Sequence, residues 1–548
     1  MLNYLENSKG FITILLISER CLKMVKQYML KTSSSYLKAW IKQNNEVVIT
    51  LLIILILVVS VSLRFFGLDI QSLWRDELST YDLSSYNTFK EVIINTINRD
   101  VNPPAYYVII FFVIKIFGSS EVMLRLPSAI SGVLAVFGIF LVGRSLYSAK
   151  EGLTSAALMA VSWTPIYYSQ EARSYMIMIF AIIFATYYWL KILSLLNLEQ
   201  KIPLKLYVFY ILFAVLSCYL HYFGLFFIVF QGILSVILFL RKYHIRNVIL
   251  IYLVITFAYL PWFPTLVSKF LNNQGSNSWI PFPTSDVIWG FVKFVFAPSS
   301  LVTIIICVLI LVYLVHRVFS LGFKYGSATD IYHDKLNKLP ISADLLLVLW
   351  LAVPVIVIYL VSLMGIKLFL ARYLIIVLPA AYLLLSRSIF NFPLHIKTIK
   401  VLFAVLLVLF LLFNLVCSWG YYLPRQKEPF RETALFINQN DINNSFILSN
   451  VGPKIGFDYY FSKLGSLHKV DLELWGSENP EMVINKFITE NNASYIWYIS
   501  QRYSWDDTGI KKYLEKSFLL VRKENIFSND TMGFEIYLYS IPKTEVDP

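Results

Sequence analysis

The sequence predicts a mainly α-helical polytopic membrane protein, with about 11–12 transmembrane helices plus interfacial helices, that ends in a small soluble α/β domain. Two observations predict it. Of the 548 residues 57% are hydrophobic, with a mean hydropathy of +0.64, and apolar runs long enough to cross a bilayer recur from Val47 to Trp419. From Leu423 onward the composition becomes that of a soluble domain.

The chain divides on this basis into a basic arm (1–46), a membrane domain (47–422) with a large first outer loop (66–123), and an outer α/β domain (423–548). In the arm, Arg20, Lys23, Lys26, Lys31, Lys38 and Lys42 outnumber Glu6, Glu19 and Glu46. Its apolar run Phe11 to Ser18 is too short to span and lacks a small-residue cleavage site, so it reads as an interfacial piece.

A span needs about 20 mainly apolar residues. Segments that fit begin near Val47, Leu126, Leu153, Ala172, Leu204, Tyr222, Val248, Leu301, Ala343, Tyr373 and Val401. Residues 105–118, at about 21 Å as a helix, fall short of the hydrocarbon core of about 30 Å. This stretch is placed as a helix in the outer interface, because a crossing would invert the sidedness of every later loop.

Lys/Arg bias orients the spans. With the N-terminus cytoplasmic, the inner loops hold Arg144 and Lys150; Lys191, Lys201 and Lys205; Arg241, Lys242 and Arg246; Arg317, Lys324, Lys335 and Lys338; and Arg387, Lys397 and Lys400. The C-terminal domain then lies outside, and the expected location is the cell membrane. The formal charge of +13 is mostly an inner-face effect: residues 423–548 carry 14 Lys and Arg against 17 Asp and Glu, which leaves no basic surface for nucleic acid. Cys218, Cys307 and Cys417 fall in spans and Cys21 in the arm, so disulfides do not organise the outer domain.

In that domain helix-like stretches at Glu432 to Asn438, Pro480 to Asn491 and Gly509 to Ser517 alternate with strand-like runs Ser445 to Ser449, Ser494 to Ser500 and Phe534 to Ile541. The outer loop near Ser268 to Pro298 has the composition of a segment able to fold over a site.

Chemistry-bearing residues converge on the outer face. Asp76 and Glu77 follow the first span, and Asp100 precedes Pro103-Pro104, whose tandem prolines stop a helix. Gln170, Glu171 and Arg173 follow the third span, His221 sits between the fifth and sixth, and Lys367 and Arg372 precede the tenth. Charges collect at the ends of spans in any case, because the bilayer centre excludes them.

The motifs Trp74-Arg75-Asp76-Glu77, Asn102-Pro103-Pro104-Ala105-Tyr106-Tyr107, Arg125-Leu126-Pro127-Ser128-Ala129, Tyr168-Ser169-Gln170-Glu171-Ala172-Arg173-Ser174-Tyr175, His221-Tyr222-Phe223-Gly224 and Arg372-Tyr373 with Pro379 occur in that order. Together they resemble the GT-C membrane glycosyltransferases, in particular the protein O-mannosyltransferase and aminoarabinose transferase group, over about Val47 to Pro379. The resemblance implies a transferase that takes a sugar from a polyprenyl-phosphate carrier and passes it, with inversion, to an acceptor hydroxyl on a protein, lipid or glycan at the non-cytoplasmic face.

On that resemblance Asp76 matches the acidic motif of the first loop and takes the role of base, with Glu77 orienting it, binding sugar hydroxyls or repelling its charge. Arg173 and Arg372 are candidates for the donor phosphate, since guanidinium offers paired donors; the other reading of each is an arginine reaching lipid headgroups. Asp100 is a candidate for the donor sugar or, with His221, for a divalent metal, the one cofactor implied. Where some relatives carry a Lys beside that acidic residue this chain has Val101 and Asn102, a departure that puts in doubt a phosphate contact from this element. Glu171 is read as shaping the site, paired with Arg173 or Arg125. Two other classes stay open: a transporter or flippase of the lipid-linked sugar, and a non-catalytic assembly factor that would not need Asp76.

Overall fold

The structure, a computed structural model, describes residues 44–242, 244–271, 280–324, 339–393, 396–418, 421–422, 427–440, 442, 444–452, 454–466, 468–474, 479–491, 493–501, 509–528 and 532–542. The Phe11 to Ser18 run, Cys21, Lys335, Lys338 and part of the Ser268 to Pro298 loop lie outside these residues; the described remainder of that loop contains a helix, Ser285–Phe296. The chain divides into two compact units, Met1–Ile56 and Leu57–Pro548. In the first, the described part is a helix, which runs as Asn45–Phe65 into the second.

Among the described residues nine helices are long and apolar enough to cross a membrane: Asn45–Phe65, Glu121–Leu146, Tyr175–Asn197, Tyr222–Phe239, Ile245–Leu271, Ser300–Phe319, Ala343–Leu363, Leu374–Asn391 and Lys397–Cys417. Two of the eleven expected segments differ. Leu204–Leu220 is an apolar helix of 17 residues. The segment from Leu153 is not one helix but two, Ala149–Val161 and Trp163–Ser169, separated by Ser162 in an extended conformation (φ −71°, ψ 142°).

A break in a buried helix strips carbonyls of their partners, and away from water these must be satisfied by protein. Arg64 does this. Its Nη2 donates to Met159 O and its Nη1 to Ala160 O, each at 3.0 Å, while Nε donates to Ser169 Oγ at 3.2 Å. Small residues set the close packing nearby. A Cβ on Gly143 would lie 2.7 Å from Gly152 Cα, so neither position tolerates a side chain without moving a helix.

The loop after the first span is helical and capped in steps. Arg75–Ser84 is followed by Phe89–Arg99, whose start is a capping box: Thr88 Oγ1 accepts from Glu91 N–H at 3.3 Å and Glu91 Oε2 from Thr88 N–H at 3.2 Å. It stops at Asp100, and the tandem prolines lead into Ala105–Phe117, which ends at Gly118 with φ +81°. Tyr106, Tyr107, Ile110 and Phe111 of that helix are buried, Ile116 and Phe117 exposed.

The C-terminal part contains a five-stranded mixed sheet of β1 Ser445–Ser449, β2 Leu472–Glu473, β3 Tyr495–Gln501, β4 Leu519–Ser528 and β5 Met532–Ser540, in the order β2-β1-β3-β5-β4. β1 pairs in parallel with β2 and β3; β5 runs antiparallel to β3 and β4. One face packs Phe446, Leu448, Ile496, Tyr498, Tyr537 and Tyr539 against Ile484, Ile510 and Leu514 of two helices. On the other, Phe430, Phe457 and Phe534 meet in a ring cluster with centroids 4.9–5.5 Å apart. That face reaches the loop after the first span: a Cβ on Gly456 would lie 2.6 Å from the Phe430 ring and 2.9 Å from a Leu78 methyl, so glycine lets the sheet layer meet the helix that carries Asp76.

Candidate active site

The short helix Arg75–Ser84 presents its two carboxylates to different surroundings. Glu77 is fully buried, and five donors reach it. Arg125 Nε donates to Oε1 at 2.8 Å and Nη2 to Oε2 at 2.7 Å; Ala172 N–H reaches Oε1 at 2.8 Å; Lys427 Nζ and the N–H of Trp74 reach Oε2 at 2.9 and 3.3 Å. Burial alone would raise its pKa, but the charges of Arg125 and Lys427 with the Arg125 and Ala172 hydrogen bonds outweigh it and hold the carboxyl at about 2.

Asp76 is open to its surroundings, with 26% of its side chain exposed. Its Oδ2 accepts from Arg372 Nη1 at 3.0 Å, and Oδ1 takes no hydrogen bond from the described residues. Arg173 comes from the loop before Tyr175–Asn197 and donates from Nη1 to Asp76 O and Thr80 Oγ1, both at 3.2 Å. The guanidinium of Arg372 lies 6.0 Å from the Trp74 ring and 5.9 Å from that of Tyr373. Of the two arginines predicted for the phosphate, Arg372 therefore bonds the carboxylate predicted to act as base and Arg173 bonds that residue's backbone carbonyl.

His221 caps the helix Tyr222–Phe239, its Nδ1 accepting from Phe223 N–H at 3.2 Å, and its ring sits 5.5 Å from those of Tyr175 and Tyr373. Burial first, then the charges of Arg173 and Arg372, push its pKa down to about 3, which makes it a neutral imidazole beside the two arginines. Asp100 uses Oδ1 to accept from the N–H and side-chain amide of Asn102 at 2.7 and 2.9 Å, while Lys269 donates to its carbonyl. The Asp100 and His221 pair does not make a metal centre with its neighbours: among the described residues no group of three or more His, Cys, Asp and Glu side chains is placed to hold an ion.

Glu171 departs from the pairing expected of it. Arg125 is committed to Glu77, and the two carboxylate oxygens of Glu171, 1% exposed, take no hydrogen bond from the described residues. Burial raises its pKa to about 7; the Lys427 charge opposes the rise, and Glu77 and Asp76 add to it. Gln170 is structural, its amide donating to the carbonyls of Leu63, Arg64 and Phe66. Lys367 lies over the Phe282 ring at 4.9 Å and pairs with none of these carboxylates.

Lys427 and Glu428 at the start of the C-terminal domain were not among the residues predicted for the site. The dyad sits just past the change of composition and looks, as sequence, like the first charges of a soluble segment. The signal that could have found it is the lone carboxylate pair itself, since a buried Glu beside an exposed Asp requires a cation from elsewhere.

The fold is of the GT-C type. It is similar to ArnT from Cupriavidus metallidurans in the apo state, at a TM-score of 0.52 and 14% identity, over 89% of this chain and 97% of that one. Looser likenesses are to the same ArnT bound to undecaprenyl phosphate (0.48, 12% identity, 90% and 99% covered) and to the archaeal oligosaccharyltransferase AglB from Archaeoglobus fulgidus with an inhibitory peptide and a dolichol-phosphate (0.49, 13%, 92% and 75%). Residues 101–267 match the family described as dolichyl-phosphate-mannose-protein mannosyltransferase. That match spans 167 of the 548 residues, and with nine candidate spans among the described residues the chain is a multi-pass membrane protein. No curated protein sequence matches it.

Proposed function

We propose that the chain transfers a sugar from a polyprenyl-phosphate donor to an acceptor hydroxyl of a protein, lipid or glycan at the non-cytoplasmic face of the cell membrane, with inversion and with Asp76 as base. The observation that carries this reading is the pairing of Asp76 with Arg372 at 3.0 Å in a partly exposed site, beside a second carboxylate that is buried and fully bonded. One carboxylate is thereby available for chemistry and the other is not.

In the proposed step the acceptor oxygen attacks the anomeric carbon opposite the phosphate. Its proton passes to Asp76 Oδ1, within whose hydrogen-bonding reach the hydroxyl must sit. The bond between the anomeric carbon and the phosphate oxygen breaks, and the polyprenyl phosphate leaves with the electron pair. Arg372 and Arg173 meet the developing charge, a role suited to paired N–H donors in a water-poor site. His221, neutral beside them, offers Nε2 to a sugar hydroxyl without adding positive charge, and Asp100 and Glu171 shape the sugar side. Glu77 acts as the brace that Arg125 and Lys427 grip.

The outward orientation is supported by the Lys/Arg bias of the opposite loops. It suits a lipid-linked donor, because nucleotide sugars are cytoplasmic and an outward site must be supplied through the membrane.

The test is mass spectrometry of glycans, glycolipids and surface glycoproteins from cells with the wild-type chain, a deletion, or Asp76→Asn at matched expression. Loss of the same sugar in both mutants, with its polyprenyl-phosphate donor accumulating, is the expected outcome and also names sugar and acceptor. Full rescue of the deletion by Asp76→Asn would sink the assignment and favour transport or assembly.

A further inference from the structure

The Asp76 helix supplies only part of its own cap, Glu77 Oε2 accepting the N–H of Trp74 at 3.3 Å. The first N–H groups of a helix have no partner inside it, and the residue before Arg75 is Trp74, whose side chain has no oxygen to offer. The partner comes from 353 residues away: Glu428 Oε2 accepts the N–H of Arg75 at 2.9 Å. Its backbone carbonyl accepts Ser72 Oγ at 2.5 Å. Glu428 Oε1 in turn lies 3.5 Å from Gln501 Nε2 and 3.6 Å from Arg75 Nη2, and Gln501 Oε1 accepts from that same Nη2 at 2.7 Å. The next residue back, Lys427, donates to Glu77 Oε2 at 2.9 Å and to the Gln170 carbonyl at 3.1 Å. Both side chains are almost wholly buried.

Two consecutive residues of the outer domain thus hold the N–H of the residue before Asp76 and the carboxylate of the residue after it. A carboxylate at a helix start is favoured by the helix dipole as well as by the bond it accepts. We propose that Glu428, assisted by Lys427, is a positioning residue for Asp76: by capping the Arg75 helix in trans, the outer domain sets the height and rotation of the carboxylate. This rests on the reading of Asp76 as the base. Displacement of a reacting group by about 1 Å can cost about a hundredfold in rate.

The test uses full-length variants expressed at matched level in cells that lack the native chain. Turnover is read by mass spectrometry as the rate at which the missing glycan returns, and binding is read on purified protein with undecaprenyl phosphate as the probe. Glu428→Ala is expected to lower turnover by about 10- to 100-fold with the Kd for undecaprenyl phosphate unchanged. Glu428→Gln keeps a carbonyl oxygen for the Arg75 N–H and is expected to retain most of the turnover. Wild-type turnover in Glu428→Ala, damage in Glu428→Gln equal to that in Glu428→Ala, or parallel loss of undecaprenyl phosphate binding would each overturn the proposal.

Should Glu428→Ala fail to accumulate, Gln501→Ala, which removes only the amide that steadies Glu428 and Arg75, decides. A smaller loss of turnover at unchanged Kd supports the proposal, and unchanged turnover overturns it. Asp76→Asn run in parallel separates the two readings. If it is inactive while Glu428→Ala is unimpaired, only the positioning role falls; if it turns over normally, the base assignment falls first.

Discussion

Arg125 holds Glu77 by two parallel bonds, at 2.8 and 2.7 Å, with neither side chain more than 2% exposed. The adjacent Asp76 is left outside that clasp, so of two carboxylates that look equivalent in sequence one is bonded into the interior and the other stays partly exposed.

Removing the charge on Glu77 strands Arg125 and Lys427 in a buried site. Breaking such a pair from one side costs about 3–5 kcal/mol. Glu77→Gln is expected to lose that much stability on thermal unfolding in detergent, whereas Asp76→Asn, in a partly exposed site, leaves the transition where it is. The folded pKa of Glu77, about 2, lies below its ordinary value of 4.5. The ionised form is therefore the one the fold prefers: its stabilisation is complete above about pH 4.5 and is lost as pH falls toward about 2. The acid limb of the stability curve should flatten in Glu77→Gln, and an unchanged limb would assign the pH dependence to other groups.

Arg372→Ala should weaken use of the donor more than use of the acceptor. Hydrogen bonds to charged groups contribute about 1.5–3 kcal/mol, or about 10- to 100-fold. Arg372→Lys is expected not to restore the loss, because an ammonium cannot reach Asp76 Oδ2 and a phosphate with a planar fork. Donor titrations at fixed acceptor measure this. A normal donor dependence in Arg372→Ala would take the residue out of the phosphate site.

Sidedness is checked with single cysteines. Asn98, exposed in the first outer loop, and Gln200, exposed in the connection between Tyr175–Asn197 and Leu204–Leu220, fall on opposite faces in the proposed topology. Asn98→Cys should react with a membrane-impermeant maleimide in intact cells and Gln200→Cys only after lysis. The reverse pattern would invert the assignment.

Turnover should survive treatment with EDTA. Asp100 Oδ1 is occupied by Asn102 and His221 Nδ1 by Phe223, which leaves too few ligands at that pair for an ion among the described residues. Abolition by chelator, restored by a divalent cation, would show that ligands come from elsewhere.

Much of this was legible in the sequence because it depends on local rules. Long apolar runs gave the spans, and the strand-like runs at Ser445, Ser494 and Phe534 correspond to β1, β3 and β5. The meeting of Asp76, Arg173 and Arg372 followed from their shared face. What escaped depends on contacts distant in sequence. The break at Ser162 is hidden inside an apolar run because its stabilising partner, Arg64, is about a hundred residues away. β4 escaped because Leu519 to Ser528 carries Arg522, Lys523 and Glu524 and is mostly exposed, so it shows neither the alternation nor the apolar run of a buried strand. Glu77 and Glu171 differ only in what the fold brings to them, five donors to one and no hydrogen bond from the described residues to the other.

The clasp on the Asp76 helix also has a schedule. Glu77 and Lys427 are 350 positions apart, so at a synthesis rate of about 5–20 residues per second the ribosome takes roughly 20 to 70 s to make the second after the first. During that interval most of the spans emerge while the helix that will carry the carboxylate has neither its distant cap nor its buried ammonium. The arginines and the neutral imidazole are in the chain well before Lys427 and Glu428, which bond the Asp76 helix. A nascent or truncated chain ending before residue 427 would carry Asp76, Arg173, His221 and Arg372 but neither the Glu428 carboxylate on the Arg75 N–H nor the Lys427 ammonium on Glu77.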